Sequence, residues 1–302
     1  MFRKLIETVF YGNYFYGFCT AALSAEASVQ QEYPLNSFLY YLFLFSAIVI
    51  YYTKAYTGEP PVHTANKRTL WYLNNRKFVR QTQSVFFIVF LASGILLIIQ
   101  HYKNISQTEV WQYILIGLFP LVALLYYGAS FKPLQKFSLR KTGWLKPFII
   151  GFVWAGIVTI YPLLFQQLET GSYYAVSLIG IWFFVKNFMF ISVLCIMFDI
   201  KDYAADHNVQ LKTFVVQVGL RKTIFVVIIP LSIFGFIAYI IFVMANHFPL
   251  IRIIFNSIPF FLLIWVAWSL QRRKSILYYL VIIDGLMLVK AFCGILGVLL
   301  AK

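Results

Sequence analysis

The amino-acid sequence predicts an all-α, polytopic membrane protein, and two observations support this prediction. Its 302 residues have a mean hydropathy of +0.79 and only 12% charged residues, far from the usage of soluble globular domains. Runs of about 20 apolar residues also recur along the chain, which is the length that an α-helix needs to cross the hydrocarbon core. We therefore expect a bundle of transmembrane helices.

The apolar runs predict nine transmembrane helices, which we expect to surround a central cavity capped by cytoplasmic loops. The first span is the weakest, because Glu26 interrupts it and small residues make it less apolar. The predicted spans cover residues 8–28, 34–53, 83–100, 110–127, 147–167, 176–198, 223–245, 250–268 and 276–300.

The distribution of Lys and Arg supports this count, since basic residues collect in cytoplasmic loops. With a cytoplasmic N-terminus, 20 of the 25 basic residues fall in the N-terminal segment and in the loops after spans 2, 4, 6 and 8. We therefore expect an integral multi-pass protein with a cytoplasmic N-terminus, in the plasma (inner) membrane if the source is bacterial. Topology and contact with membrane lipid then explain the net charge of +15 without a nucleic-acid partner.

Three long loops on the predicted cytoplasmic side indicate an internally repeated bundle. They comprise residues 54–82, 128–146 and 199–222, and long loops within a compact domain are usually functional. The first and third follow spans 2 and 6, four helices apart, as in a duplicated half-bundle. The sequence thus predicts a single domain over residues 1–302 with two pseudo-repeated halves, about 1–146 and 147–302.

Acidic residues are rare, yet three of the four aspartates, Asp199, Asp202 and Asp206, lie within eight residues. If the sixth span continues as a helix, their i, i+3 and i+7 spacing places them on one face. Carboxylates grouped in this way can bind one or two hard cations such as Mg²⁺, which keeps coordination positions open for diphosphate oxygens. The alternative is a solvated loop whose acids pair with nearby lysines. The scattered cysteines and histidines argue against a haem, zinc or disulfide site.

The aspartate segment resembles a known family motif. Asp199-Ile-Lys-Asp202-Tyr-Ala-Ala-Asp206, followed by Lys212-Thr213 and Val218-Gly219, is similar to the second aspartate-rich motif of the UbiA-type intramembrane prenyltransferases. The resemblance implies nine transmembrane helices, with the motif after the sixth. It also implies transfer of an isoprenyl group from a prenyl diphosphate to an aromatic or other lipophilic acceptor, with the three aspartates as catalytic metal ligands.

The loop after the fourth span carries a further resemblance. Tyr127-Gly-Ala-Ser-Phe-Lys132 is similar to the Tyr and Lys positions of the family, and Lys132 is implied to bind the diphosphate. The set expected at the diphosphate is completed by basic and polar residues of the other two loops. This set comprises Lys132, Lys212, Arg68, Tyr127 and Asn66.

The loop after the second span departs from the family. The first motif of the family has an Asn followed by aspartates at four-residue intervals, whereas this loop has Tyr52 and Tyr56 at the corresponding spacing and Glu59 as its only acid. In one interpretation a single Mg²⁺ remains and Lys or Arg side chains neutralise the remaining diphosphate charge. In another the protein is catalytically degenerate and binds an isoprenoid or acts as a membrane scaffold. A secondary transporter is the weakest alternative, because the charges gather in loops.

Charged residues within predicted spans are further candidates for function. Lys186 lies in span 6, Asp284 and Lys290 lie in span 9, and Glu26 interrupts span 1 without an evident partner. The simplest expectation is an interhelical ion pair between Lys186 and Asp284. The alternative is that Lys186 lines a substrate pocket.

Overall fold

The structure is a computed structural model that describes residues 2–57, 66–127, 143–172, 177–208 and 210–301. Within these ranges the chain is all-helical, without strands, as the sequence predicts. The helices are α1 Phe2–Tyr11, α2 Tyr14–Gln30, α3 Phe38–Lys54, α4 Lys67–Asn74, α5 Arg76–Ser106, α6 Val110–Tyr127, α7 Lys146–Ala155, α8 Tyr161–Thr170, α9 Leu178–Asn208, α10 Phe214–Val218, α11 Leu220–Lys222, α12 Ile229–Ala245, α13 Leu250–Ser269, α14 Ile276–Tyr278 and α15 Gly285–Leu299.

Six helical stretches of the described chain are long and apolar enough to cross a membrane, which supports an integral membrane protein. They are Arg76–Ser106, Gly143–Thr170, Leu178–Ala204, Leu220–Ala245, Leu250–Ser269 and Ile276–Leu299. The predicted count of nine goes beyond this finding. Helices α3 and α6 are apolar but shorter, and the 17 residues of α2 include the buried carboxyl group of Glu26.

Three of the long stretches contain π-helical turns, which join α7 to α8, α11 to α12 and α14 to α15. They span Gly156–Ile160, Thr223–Ile228 and Tyr279–Ile283. Proline follows the first two, and a wider turn accommodates a ring that lacks an N–H and crowds the preceding turn. After the third, the Asp284 N–H reaches back five residues to the Tyr279 carbonyl at 3.2 Å.

Helix α9 is central to the largest hydrophobic core. Its buried residues Ile196 and Met197 belong to a cluster that also includes residues of α2, α10, α13 and α15. A second cluster joins α3, α6, α7 and α8 around Tyr40 and Phe119. Gly156 allows this packing, since a Cβ there would overlap the ring of Phe119.

The first and last of the apolar helices, α2 and α15, pack side by side and join the two ends of the described chain. Buried Lys290 donates to Glu26 at 2.5 Å, with 2% and 0% of their side chains exposed. One helical turn further along, Gln30 donates to the Gly294 carbonyl at 3.0 Å. Gly294 is required here, because a Cβ would overlap the Glu26 carboxylate. The Lys290–Glu26 contact and the Gln30–Gly294 hydrogen bond lie on neighbouring helical turns, and together they fix the register of α2 against α15.

The expected ion pair between Lys186 and Asp284 is wrong. Lys186 donates to Asn256 Oδ1 at 3.1 Å, whereas the Asp284 carboxylate accepts from the Tyr16 hydroxyl at 2.8 Å. The prediction is wrong because span 9 packs against α2, where Glu26 forms an ion pair with Lys290, the other lysine within a predicted span.

Gly156→Ala tests the packing of the second core. We expect destabilisation by about 1 to 3 kcal/mol, because the added methyl group must displace the buried Phe119 ring. Gly117→Ala is the matched control, since no atom lies within 4 Å of the position that its added methyl group would take. Thermal unfolding in detergent should show a lower midpoint for Gly156→Ala only. Equal midpoints for the two variants would contradict the packing.

The Glu26–Lys290 pair is tested by a double-mutant cycle. Glu26→Gln and Lys290→Met should each destabilise the protein by about 3 kcal/mol, because each leaves a buried charge without its partner. The double variant should recover much of the lost stability, as measured by thermal or denaturant unfolding. Additive losses in the double variant would show that the two side chains do not depend on one another.

Candidate functional site

A cavity of about 730 Å³ is lined by charged side chains from several helices. All four aspartates of the sequence line it, together with two basic residues. Aromatic and apolar side chains form the rest of the wall. The charged lining residues are Asp199, Asp202, Asp206, Asp284, Arg68 and Lys146.

Helix α9 presents three of these aspartates because it continues without interruption to Asn208. The predicted helical spacing therefore holds, and Asp199, Asp202 and Asp206 all face the cavity. Exposure rises along the helix, from 2% for the Asp199 side chain to 47% for that of Asp202. The row of carboxylates thus leads from the interior of the bundle towards solvent.

Asp199 forms an ion pair with Lys146, the first residue of α7. The Asp199 Oδ2 atom is buried and has no hydrogen-bond partner. A short helical turn at Gly143–Leu145 leads into α7, and a Cβ on Gly143 would lie 2.7 Å from the Lys212 carbonyl oxygen. Glycine therefore lets the segment after α9 close against the start of α7 and fixes Lys146 beside the aspartates.

The pKa of Asp206 reflects its burial and the negative charge of the neighbouring carboxylates. Burial raises the pKa of Asp206, and the negative charges of Asp202 and Asp199 raise it further. The positive charge of Lys146 acts in the opposite direction. Repulsion among the carboxylates means that an added cation would be stabilised here.

Arg68 of α4 lines the same cavity and is 4% exposed. It donates to the Tyr11 carbonyl at 3.3 Å and to Asn13 Oδ1, and its guanidinium lies 4.3 Å from the centre of the Tyr56 ring. Asn13 adopts a left-handed φ of 66° and also donates to the Tyr72 hydroxyl at 2.9 Å. These contacts attach α4 to the turn between α1 and α2 and hold the guanidinium at the cavity.

A polar aromatic group lies deeper in the cavity. The Tyr16 hydroxyl donates to Asp284 Oδ2 at 2.8 Å, and the Tyr16 ring stacks on Tyr52 at 4.7 Å. Trp154 Nε1 donates to the Tyr52 hydroxyl at 2.5 Å. Asp284 directly follows the π-helical turn of the last span. These side chains place a buried carboxylate among aromatic faces.

A second cavity, of about 320 Å³, adjoins the first and is almost entirely apolar. Its lining comes from α3, α5, α6, α7 and α8. Four residues line both cavities: Tyr52, Tyr126, Ile150 and Trp154. A charged compartment thus continues into a hydrophobic one.

The expected diphosphate-binding residues have different locations. Arg68 lines the charged cavity. Asn66 caps α4, its side chain accepting from the Arg68 N–H at 3.0 Å. Tyr127 is the last residue of α6, and its side chain lies outside the described part of the structure. Among the described residues, Lys212 is absent from the lining whereas its neighbours Leu211 and Thr213 are present. Lys132 lies outside the described residues.

The three aspartates have the donor chemistry of a Mg²⁺ site but are not preassembled as one. Within the described parts of the chain, no group of three His, Cys, Asp or Glu side chains is placed to hold a metal ion. Asp199 is engaged by Lys146, and Asp202 lies 3.1 Å from Lys201. The unpartnered Asp199 Oδ2 nevertheless offers a free ligand atom. A cation would therefore bind by competing with these two lysines.

Sequence reasoning missed Lys146 and the pairing of Tyr16 with Asp284. The sequence marks Lys146 as one of several basic loop residues, although a cation at the start of a span is a usable signal. Asp284 stands out as a charge within a span, but nothing in the sequence points to Tyr16, which is 268 positions away.

Comparison of the chain with known protein families, with curated proteins and with solved structures finds no match.

Arg68→Met tests whether the charged cavity binds anions. We expect the affinity for inorganic diphosphate to fall at least tenfold, because the variant removes a buried guanidinium that faces the cavity. Arg76→Met is the matched control, since Arg76 is exposed and lines a groove between α3, α4 and α5 instead. Isothermal titration calorimetry measures both.

Asn13→Gly separates the position of Arg68 from its charge. Glycine tolerates the left-handed backbone but removes the Asn13 contact with the guanidinium, so the loss of affinity should be intermediate. Equal losses in Arg68→Met and Arg76→Met would show that the cavity is not where diphosphate binds.

Proposed function

We propose that the protein is a membrane-embedded, UbiA-type prenyltransferase that moves an isoprenyl group from a prenyl diphosphate to an aromatic or other lipophilic acceptor. The observation that carries this proposal is that two cavities of different character adjoin. A cavity lined by four aspartates, Arg68 and Lys146 continues into an apolar one. A prenyl diphosphate has the same two parts, a polyanionic head and a hydrocarbon tail.

The proposed topology has nine membrane spans and a cytoplasmic N-terminus, with the charged cavity near the cytoplasmic surface of the plasma or inner membrane. Its support is that α2, α3 and α6 coincide with the three predicted spans that fall outside the six long apolar stretches. The odd count also agrees with the parallel packing of α2 and α15, in which Tyr16 meets Asp284 and Gln30 meets Gly294.

The diphosphate would bind in the charged cavity. Arg68, fixed by Asn13 and Tyr11, offers its guanidinium to phosphate oxygens, and Lys146 is released to them when Asp199 takes a metal ligand role. Asp199, Asp202 and Asp206 would hold one Mg²⁺, which when bound supplies positive charge that stabilises the departing diphosphate. The basic residues thus act in place of the missing acidic motif after span 2.

Transfer would occur where the two cavities meet. The allylic C–O bond breaks with its electron pair leaving on the diphosphate, and the acceptor carbon forms the new bond to the prenyl carbon. The faces of Tyr16, Tyr52 and Trp154 stabilise the developing positive charge and exclude water. The acceptor then loses a proton, which the buried Asp284 carboxylate receives.

A second candidate is an isoprenoid-binding protein without catalysis. The pairing of Asp199 with Lys146 favours it, because an acid already neutralised by the protein has less need of a metal. Both candidates require the same ligand in the same cavities. Only the release of diphosphate separates them.

Diphosphate release from prenyl diphosphates is the decisive measurement. Purified protein in detergent, given Mg²⁺ and a panel of lipophilic acceptors, should release diphosphate, and chelation of the metal should abolish release. Asp202→Asn and Asp206→Asn should each lower the rate about 100-fold or more, a loss typical for the removal of a group that stabilises transition-state charge. Glu109→Gln, remote from the cavity, should retain the wild-type rate.

Two negative results have different meanings. Absence of release with every prenyl diphosphate and acceptor, while a prenyl diphosphate still binds, would overturn catalysis and favour the isoprenoid-binding protein. Absence of binding as well would overturn both candidates.

A further inference from the structure

A separate pocket of about 150 Å³ lies between α9, α12 and α13, within stretches long enough to span the membrane. It shares no lining residue with the charged cavity or its apolar neighbour. Its wall is apolar except for Trp182, Lys186 and Ser232. The Ser232 hydroxyl is already used, since it donates to the Ile228 carbonyl at 2.7 Å.

The two remaining polar groups are hydrogen-bond donors with unused capacity. Trp182 Nε1 is buried and has no hydrogen-bond partner. The Lys186 ammonium, one helical turn later, has three donors, and the hydrogen bond found for it is to Asn256 Oδ1, which also accepts from Gln30. The Phe183 and Tyr239 ring centres lie 5.2 and 5.0 Å from the ammonium, and its charged neighbours are Lys290, Glu26 and Arg252. The pocket therefore offers donors to a ligand that only accepts.

The charge of Lys186 is also uncompensated. Among the described residues, no carboxylate lies within ion-pairing distance of Lys186, and the nearby Glu26 already pairs with Lys290. Arg252 adds a further positive charge to the same region and pairs only loosely, at 3.9 Å, with the exposed Glu32. Cations buried in the membrane normally pair with an acid or face a ligand.

We propose that this pocket binds the carboxylate head of a fatty acid or similar single-chain lipophilic acid. Lys186 would act as its counterion and Trp182 Nε1 as a second donor. A volume of 150 Å³ corresponds to about five water molecules, enough for the carboxylate and the first few methylene groups. The remaining chain would lie in the membrane against the exposed apolar side chains of Val185 and Phe234.

Charge and size decide against two other ligands. A neutral ketone or ester could accept both hydrogen bonds but would leave the Lys186 charge uncompensated. A phosphate head carries more negative charge and more acceptor oxygens than the two donor groups, Lys186 and Trp182 Nε1, can satisfy. The site is independent of the proposed transferase activity, so either can fail without the other.

The experiment measures binding of radiolabelled oleic acid to the purified full-length protein in detergent, with unlabelled oleate or methyl oleate as competitor. Oleate should compete, and methyl oleate should compete at least tenfold more weakly. Lys186→Met should reduce affinity at least tenfold and Trp182→Phe about threefold. Lys103→Met is the matched control, because Lys103 is an exposed lysine far from the pocket, and it should bind as wild type does.

Gly235→Leu covers the case in which Lys186→Met does not fold. A Cβ at Gly235 would make ordinary contacts, 3.5 Å to Phe260 and 3.6 Å to Met189, and a leucine side chain would then fill the pocket without changing any charge. We expect it to abolish oleate binding. Wild-type affinity in both Gly235→Leu and folded Lys186→Met, or equal competition by methyl oleate, would overturn the proposal.

Discussion

The ion pair between Lys146 and Asp199 sets the geometry of the charged cavity. A carboxylate 2% exposed within a long apolar helix needs a cation, and the nearest one begins the neighbouring helix α7. The pair therefore draws α7 against α9, and the close approach at Gly143 brings the segment after α9 over the same end of the cavity. This electrostatic contact therefore positions Lys146 beside the aspartates, and apolar packing of α7 on α9 supports it.

The buried charge of Arg68 is held in a different way from that of Asp199. Arg68 has no carboxylate among its hydrogen-bond acceptors in the described chain; it is held by a backbone carbonyl, an amide and the face of Tyr56. Its charge therefore remains available to an anion in the cavity. One cavity thus contains carboxylates that attract cations and a guanidinium that attracts anions, an arrangement suited to a polyanion bound together with a metal ion.

The sequence is sufficient for features that depend on one helix at a time. Apolar runs predict the long helices, and the spacing of Asp199, Asp202 and Asp206 predicts their common face. Features that depend on how helices are rotated against each other are not accessible. Charge alone predicts an ion pair between Lys186 and Asp284. In the structure α2 packs against the last span, so that Lys186 donates to Asn256 and Asp284 accepts from Tyr16. The organisation into two halves, residues 1–146 and 147–302, stays a prediction.

The contact between α2 and α15 has a consequence for the order in which the helices assemble during translation. Glu26 and its partner Lys290 are 264 residues apart, and at about 5 to 20 residues per second the ribosome needs roughly 13 to 50 s to reach the lysine. During that interval the nascent chain holds an acid in an apolar helix without its counterion. Helix α2 must then be shielded from lipid by the insertion machinery, or stay near the membrane surface, until α15 has been synthesised. The pairing of Glu26 with Lys290 is therefore completed only after α15 has been synthesised.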